Sequence, residues 1–134
     1  MPIEGGCHCG AVRYALAAAP EASMICHCRT CRAISGAPVL AWISTTTDKF
    51  AITKGAPQLY ASSASVQRQF CGRCGTQLTY VGPDYGAGID IATASLDDPG
   101  AFAPTHHSWL SHDIAWIFRR RAADVPEIAR RWLA

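Results

Sequence analysis

The chain has 134 residues, 49% hydrophobic and 16% charged, with eleven glycines, eight prolines and a formal charge of +2. This size and balance predict one turn-rich domain over residues 1–134 and exclude a long disordered tail or a strongly basic nucleic-acid face. No window approaches eighteen consecutive apolar residues, and the start Met1-Pro2-Ile3-Glu4-Gly5-Gly6 lacks the basic and apolar segments of a secretory leader, so a cytoplasmic protein off the membrane is expected.

In chain order, Gly5-Gly6 reads as a turn, and Val12, Tyr14 and Leu16 alternate on one face of a strand. A short helix is expected at residues 30–35, followed by strands at residues 39–43 and 50–52. Lys54-Gly55-Ala56-Pro57 is a turn, Val66–Phe70 and Gln77–Val81 are strands, and Gly82-Pro83-Asp84 turns again. Residues 89–94 form a further strand before the turn Asp97-Asp98-Pro99-Gly100, with Asp90, Asp97 and Asp98 read as turn and capping residues. Near the end Asp124 caps a helix that has Pro126 in its first turn, Glu127 in capping-box position and Ile128 with Trp132 on one face. The fold is therefore expected to be mainly β, with antiparallel sheets and short helices.

The seven cysteines fall into three clusters: Cys7-His8-Cys9-Gly10, Cys26-His27-Cys28-Arg29-Thr30-Cys31 and Cys71-Gly72-Arg73-Cys74-Gly75. Gaps of one or two residues are metal-ligand spacing, and an odd count in a reducing compartment argues against a disulfide framework. Glycine directly after Cys9 and Cys74 permits the positive φ of a backbone wrapped around an ion, and Gly72 loosens the second turn. Cys7, Cys9, Cys71 and Cys74 thus make a natural closed set of four thiolates, which leaves Cys26, Cys28 and Cys31 with a fourth position unfilled. That position can take water or a substrate; it can equally be closed by His27, His106, His107 or His112, and Cys28 with Cys31 also fits a redox CxxC pair. Setting seven thiolates against two divalent zinc ions turns the formal charge of +2 into −1, which further weakens the case for a nucleic-acid partner.

The three cysteine patterns, with Ala11-Val12-Arg13-Tyr14 after the first and Ala94-Ser95-Leu96-Asp97-Asp98-Pro99 late in the chain, resemble the glutathione-dependent formaldehyde-activating enzyme family, which also includes centromere protein V. The resemblance covers most of the chain. It implies a small zinc-stapled β-tent fold with two zinc ions, one structural on Cys7, Cys9, Cys71 and Cys74 and one catalytic on Cys26, Cys28 and Cys31. It also implies a carbon–sulfur lyase that adds glutathione thiol to formaldehyde reversibly, giving S-(hydroxymethyl)glutathione, with a small-molecule thiol and aldehyde as its partners. The family's usual Arg-Lys after the middle cluster is here Arg32-Ala33. Its late His-Ile-Trp, with a downstream Lys and Trp, is here His106-His107-Ser108-Trp109, then Ser111-His112-Asp113 and Trp116, so the substrate pocket is expected to differ there. The competing expectation is a non-catalytic zinc-stabilised binding module whose surface, including Arg119-Arg120-Arg121, engages a partner.

Overall fold

A computed structural model describes residues 2–83 and 86–117. The helix expected after Asp124, the arginines at 119–121 and Asp84 of one expected turn lie outside these residues. In chain order the described elements are β1 (Ile3–Gly6), β2 (Arg13–Leu16), β3 (Ala22–Cys26), α1 (Arg29–Ser35), β4 (Leu40–Thr46) and β5 (Phe50–Lys54). They continue with β6 (Gln58–Ser63), β7 (Val66–Phe70), β8 (Gln77–Val81), β9 (Gly88–Ala92) and β10 (His106–Ser108), joined by short 3-10 turns. The mainly β expectation holds.

Two sheets form, one in the order β1-β2-β5 and one in the order β10-β3-β4-β9-β8-β7-β6. Every pair is antiparallel except β10, which runs parallel to β3 and sets Ser108 beside Cys26. Alternation along the central strands divides the long sheet into two faces. Ile43 of β4 and Ile91 of β9 pack with Tyr14 and Leu16 of the small sheet and with Val12 just before β2, and Cys71 joins that core. Trp42 and Ala92, their immediate neighbours, point the other way and pack with Met24, Cys26 and Cys31. The sheet therefore keeps the four-cysteine group and the three-cysteine group on opposite sides.

Strands β7 and β8 have the bounds read from the sequence, and α1 covers the expected helix with Gly36 closing it in the left-handed conformation at φ 68. The strand expected over residues 89–94 is β9, which ends at Ala92 because residues 93–95 turn into a 3-10 segment. Strands β1, β3, β6 and β10 were not foreseen. Gly5-Gly6 is not a turn: both residues lie in β1, paired with Tyr14 and Arg13. Glycine is needed there for space, since a Cβ on Gly5 would fall 2.5 Å from the Ser95 carbonyl oxygen and closer still to the Tyr14 hydroxyl. Asp90 is likewise no turn residue; it sits within β9, buried, and accepts a hydrogen bond from the Ser44 hydroxyl at 2.5 Å.

Candidate functional site

The two turns that carry Cys7-Cys9 and Cys71-Cys74 are built alike. In each, the first cysteine's carbonyl accepts the N–H of the closing glycine, Gly10 at 3.1 Å and Gly75 at 2.8 Å. Gly10 has φ 76 and Gly75 has φ 79, as the sequence requires of a backbone wrapped back on itself. Gly72 does not adopt a positive φ; a Cβ there would meet the Gln58 side chain, so close approach is its structural role. The four sulfurs lie within 4.8 Å of one another, with Cys7 and Cys9 at 3.6 Å and Cys9 and Cys71 at 3.8 Å. A zinc–sulfur distance of about 2.3 Å in a tetrahedron requires sulfur separations of about 3.8 Å, so the group fits that ion as it stands.

Hydrogen bonds from the chain prepare these sulfurs for an ion. The Val12 amide donates to Cys7 Sγ at 3.2 Å. The Thr76 hydroxyl, followed by the Thr76 backbone, holds the Cys74 thiol down to about 5, whereas Cys9 rises to about 11 because desolvation and its neighbouring sulfurs outweigh the Ala11 amide. Cys9 and Cys74 are exposed, whereas Cys7 and Cys71 are buried in the larger core.

Cys26, Cys28 and Cys31 form the second group, and their sulfurs also lie within 4.8 Å of one another. Cys26 ends β3, Cys28 caps α1 and Cys31 lies inside its first turn, so a strand-to-helix junction aims three thiols at one point. The Cys31 amide donates to Cys28 Sγ at 3.2 Å, and Cys26 Sγ lies 3.8 Å from Cys31 Sγ, again a tetrahedral edge. Sulfur hydrogen bonds from Cys26 and Cys31 push the Cys28 thiol down to about 2, and the same contacts with burial push Cys26 well up.

No histidine nitrogen joins either group among the described residues. His27 is fully buried and its Nε2 lies 3.0 Å from His107 Nδ1, a contact made by the parallel pairing of β10 with β3. His106 is exposed and lies against Thr105. His112 stacks on Trp109 at 5.2 Å between ring centroids. All seven cysteines are free thiols, with no disulfide between Cys28 and Cys31.

The three-cysteine group opens onto a cavity of about 430 Å³, within the range of small-molecule sites. Trp42, Tyr80 and Trp109 contribute aromatic wall, His112 and the solvent-exposed Arg29 of α1 also line it, and two further charged residues that the sequence reading missed complete it. One is Asp90, whose burial raises its carboxyl above the ordinary range against the lowering effect of Ser44. The other is Arg68 of β7, which is 4% exposed. Its two terminal nitrogens lie 3.7 Å from Cys31 Sγ, its Nε donates to Ser62 Oγ at 3.0 Å, and its guanidinium lies 4.9 Å from the Tyr80 ring centroid. The sequence signal for Asp90 is a carboxylate between Ile89 and Ile91 in a buried strand; Arg68 has no comparable signal among polar neighbours.

Trp109 lines the same cavity with φ 56, a left-handed backbone that a bulky side chain seldom adopts. No helix among the described residues is long and apolar enough to cross a membrane.

A Rhodobacter sphaeroides protein of known crystal structure shares the fold, with a TM-score of 0.62 and 21% identity over 78% of this chain and 99% of that one. An uncharacterized lyase of Schizosaccharomyces pombe is 37% identical over 82 residues, which are 60% of this chain and 58% of that protein, so the matched part spans less than two thirds of the relative. Residues 2–112, which include all seven cysteines, Arg68 and Asp90, match the glutathione-dependent formaldehyde-activating enzyme family, and the chain belongs to that family.

Proposed function

We propose that the chain is a zinc-dependent carbon–sulfur lyase that joins formaldehyde, or another small aldehyde, to a thiol such as glutathione and releases it again. The observation that carries this reading is the unequal state of the two cysteine groups. Four sulfurs close among themselves, and three face a cavity with space for a fourth ligand. Two zinc ions per chain fit that division, with Cys7, Cys9, Cys71 and Cys74 holding a structural ion and Cys26, Cys28 and Cys31 holding the one that serves the reaction. Zinc in the second group supplies a Lewis acid with one exchangeable position, which favours the thiolate form of a thiol that reaches it.

The remaining chemistry belongs to the chain. As the carbon–sulfur bond forms, the carbonyl π bond opens onto oxygen, which must take up a proton. The Asp90 carboxyl lines the cavity and burial favours its protonated form, so it can give that proton and recover it from solvent. In the reverse direction the Asp90 carboxylate takes the hydroxyl proton as the carbon–sulfur bond breaks. Trp42 and Tyr80 limit the water around the adduct. Residues 1–134 are read as one domain working in a reducing cytoplasm, where the thiols stay free.

The test is to load the protein with zinc, count two ions per chain, and follow exchange between formaldehyde and S-(hydroxymethyl)glutathione by nuclear magnetic resonance. Acceleration that disappears in Cys28→Ser supports the lyase. Two tightly held ions with no acceleration and no response to glutathione would leave a non-catalytic zinc-stabilised module.

A further inference from the structure

We infer that Arg68 makes the three-cysteine site selective for an anionic fourth ligand over a neutral one, an inference that rests on the proposal that this group binds a metal ion. A guanidinium buried to 4% exposure needs a counter-charge, because an unpaired buried ion is strongly destabilising. No carboxylate among the described residues forms an ion pair with Arg68. The negative group that it meets is the sulfur of Cys31, approached by both terminal nitrogens at 3.7 Å.

Three thiolates around a divalent ion carry a net charge of −1, which one guanidinium neutralises. A fourth ligand that is itself an anion restores a single net charge to the assembly, whereas without Arg68 the same ligand would bring a second negative charge into a partly buried site. A neutral ligand creates no such problem. The arginine therefore discriminates by charge, and the class of ligand it favours is a thiolate or another small soft anion.

The side chain is held for this purpose and does not merely fill space. Strand β6 shifts register between Ala61 and Ser63, and the displaced Ser62 presents the hydroxyl that accepts Arg68 Nε. Tyr80 supports the guanidinium face from the next strand. With three of its five donors committed to Ser62 and Cys31, the fork has one orientation relative to the sulfurs.

The test uses the full chain with cobalt(II) in both sites, whose visible bands report four-coordinate ligation. Thiocyanate, and 2-mercaptoethanol, which binds as its thiolate with release of its proton, serve as the probes that place an anion on the metal, and imidazole serves as the neutral one. In Arg68→Gln the affinity for both anionic probes should fall roughly 10- to 100-fold, with imidazole binding unchanged and the bands of the four-cysteine site retained. Arg68→Lys, which keeps the charge and loses the fork, should recover part of the lost affinity and also serves if the glutamine variant fails to fold. Equal losses for imidazole and the anions, or unchanged anion binding, would overturn the inference. A wild-type site that discriminates thiocyanate through Arg68 yet ignores thiols would sink the lyase proposal alone, and a three-cysteine group that takes up no cobalt would sink both.

Discussion

The hydroxyl of Thr76 accepts the backbone N–H of His8 at 3.1 Å and lies 3.2 Å from Cys74 Sγ, so one oxygen joins the two turns that present the four-cysteine group. Such outer partners orient ligands and set their basicity. Thr76→Val keeps the shape and removes the oxygen. The Cys74 thiol should then rise from its value of about 5, and zinc affinity at this group should drop about 10- to 100-fold by chelator competition.

Cys71 and Cys28 should respond differently to serine. Cys71 is buried in the larger core and is a ligand of the structural ion in the proposed assignment, and structural zinc contributes on the order of 10 kcal/mol to folding, comparable to the whole stability of a domain at about 5–15 kcal/mol. Cys71→Ser is expected to be unfolded by circular dichroism at room temperature. Cys28→Ser should keep its sheets and one tightly bound zinc while losing exchange activity. Equal unfolding of both variants contradicts the division between the groups.

Gly5→Ala should destabilise the protein by about 1–3 kcal/mol, read from urea denaturation of the zinc-loaded form. The added methyl meets the Ser95 carbonyl, a backbone atom that cannot rotate aside, and Tyr14 behind it is fully buried. A neutral result would mean that the bridge between Gly5 and Leu96 opens at little cost.

Burial raises the Asp90 carboxyl, so in the window above the ordinary carboxylate value of about 3.9 the folded chain holds a proton that the unfolded chain has released. Stability attributable to this group therefore falls as pH rises through that window and stays reduced above the raised value. The groups paired with it or sharing its cavity are Ser44 on β4, Tyr80 on β8, Arg68, Arg29, His112 and the three thiols. Asp90→Asn should accordingly be more stable than the parent at neutral pH, with the gain vanishing toward pH 4, as paired urea melts would register. Exchange should slow by about 100-fold if the carboxyl delivers the proton, and the parent's decline in rate with rising pH should flatten in the variant.

The four-cysteine group was legible because its signals are local: a cysteine followed by glycine announces its own turn, and the structure gives both glycines positive φ. Strands β7 and β8 were legible from short runs between turn residues. Strand β6 was not, since it is an edge strand with nearly every residue exposed, and nothing in Gln58–Ser63 alternates. Strand β10 escaped for a similar reason, as His106–Ser108 is strand only because β3 offers it a parallel partner some eighty residues away. Arg68 is flanked by Gln67 and Gln69, and a run polar on both faces does not say which face turns inward. Asp90 was misread by residue type, when the isoleucines on either side place it in a buried strand.

The two cysteine groups also differ in how much chain must be gathered to form them. Cys26 and Cys31 are 5 residues apart, whereas the contact between Cys9 and Cys71 spans 62. Closing the longer loop costs about 2 kcal/mol more in chain entropy, so a nascent chain can hold an ion on the short loop well before the long one closes. On the proposed zinc assignments the order of metal loading follows from the sequence: the three-cysteine group would fill early, and the four-cysteine group would close only once residues 7–9 and 71–74 have met.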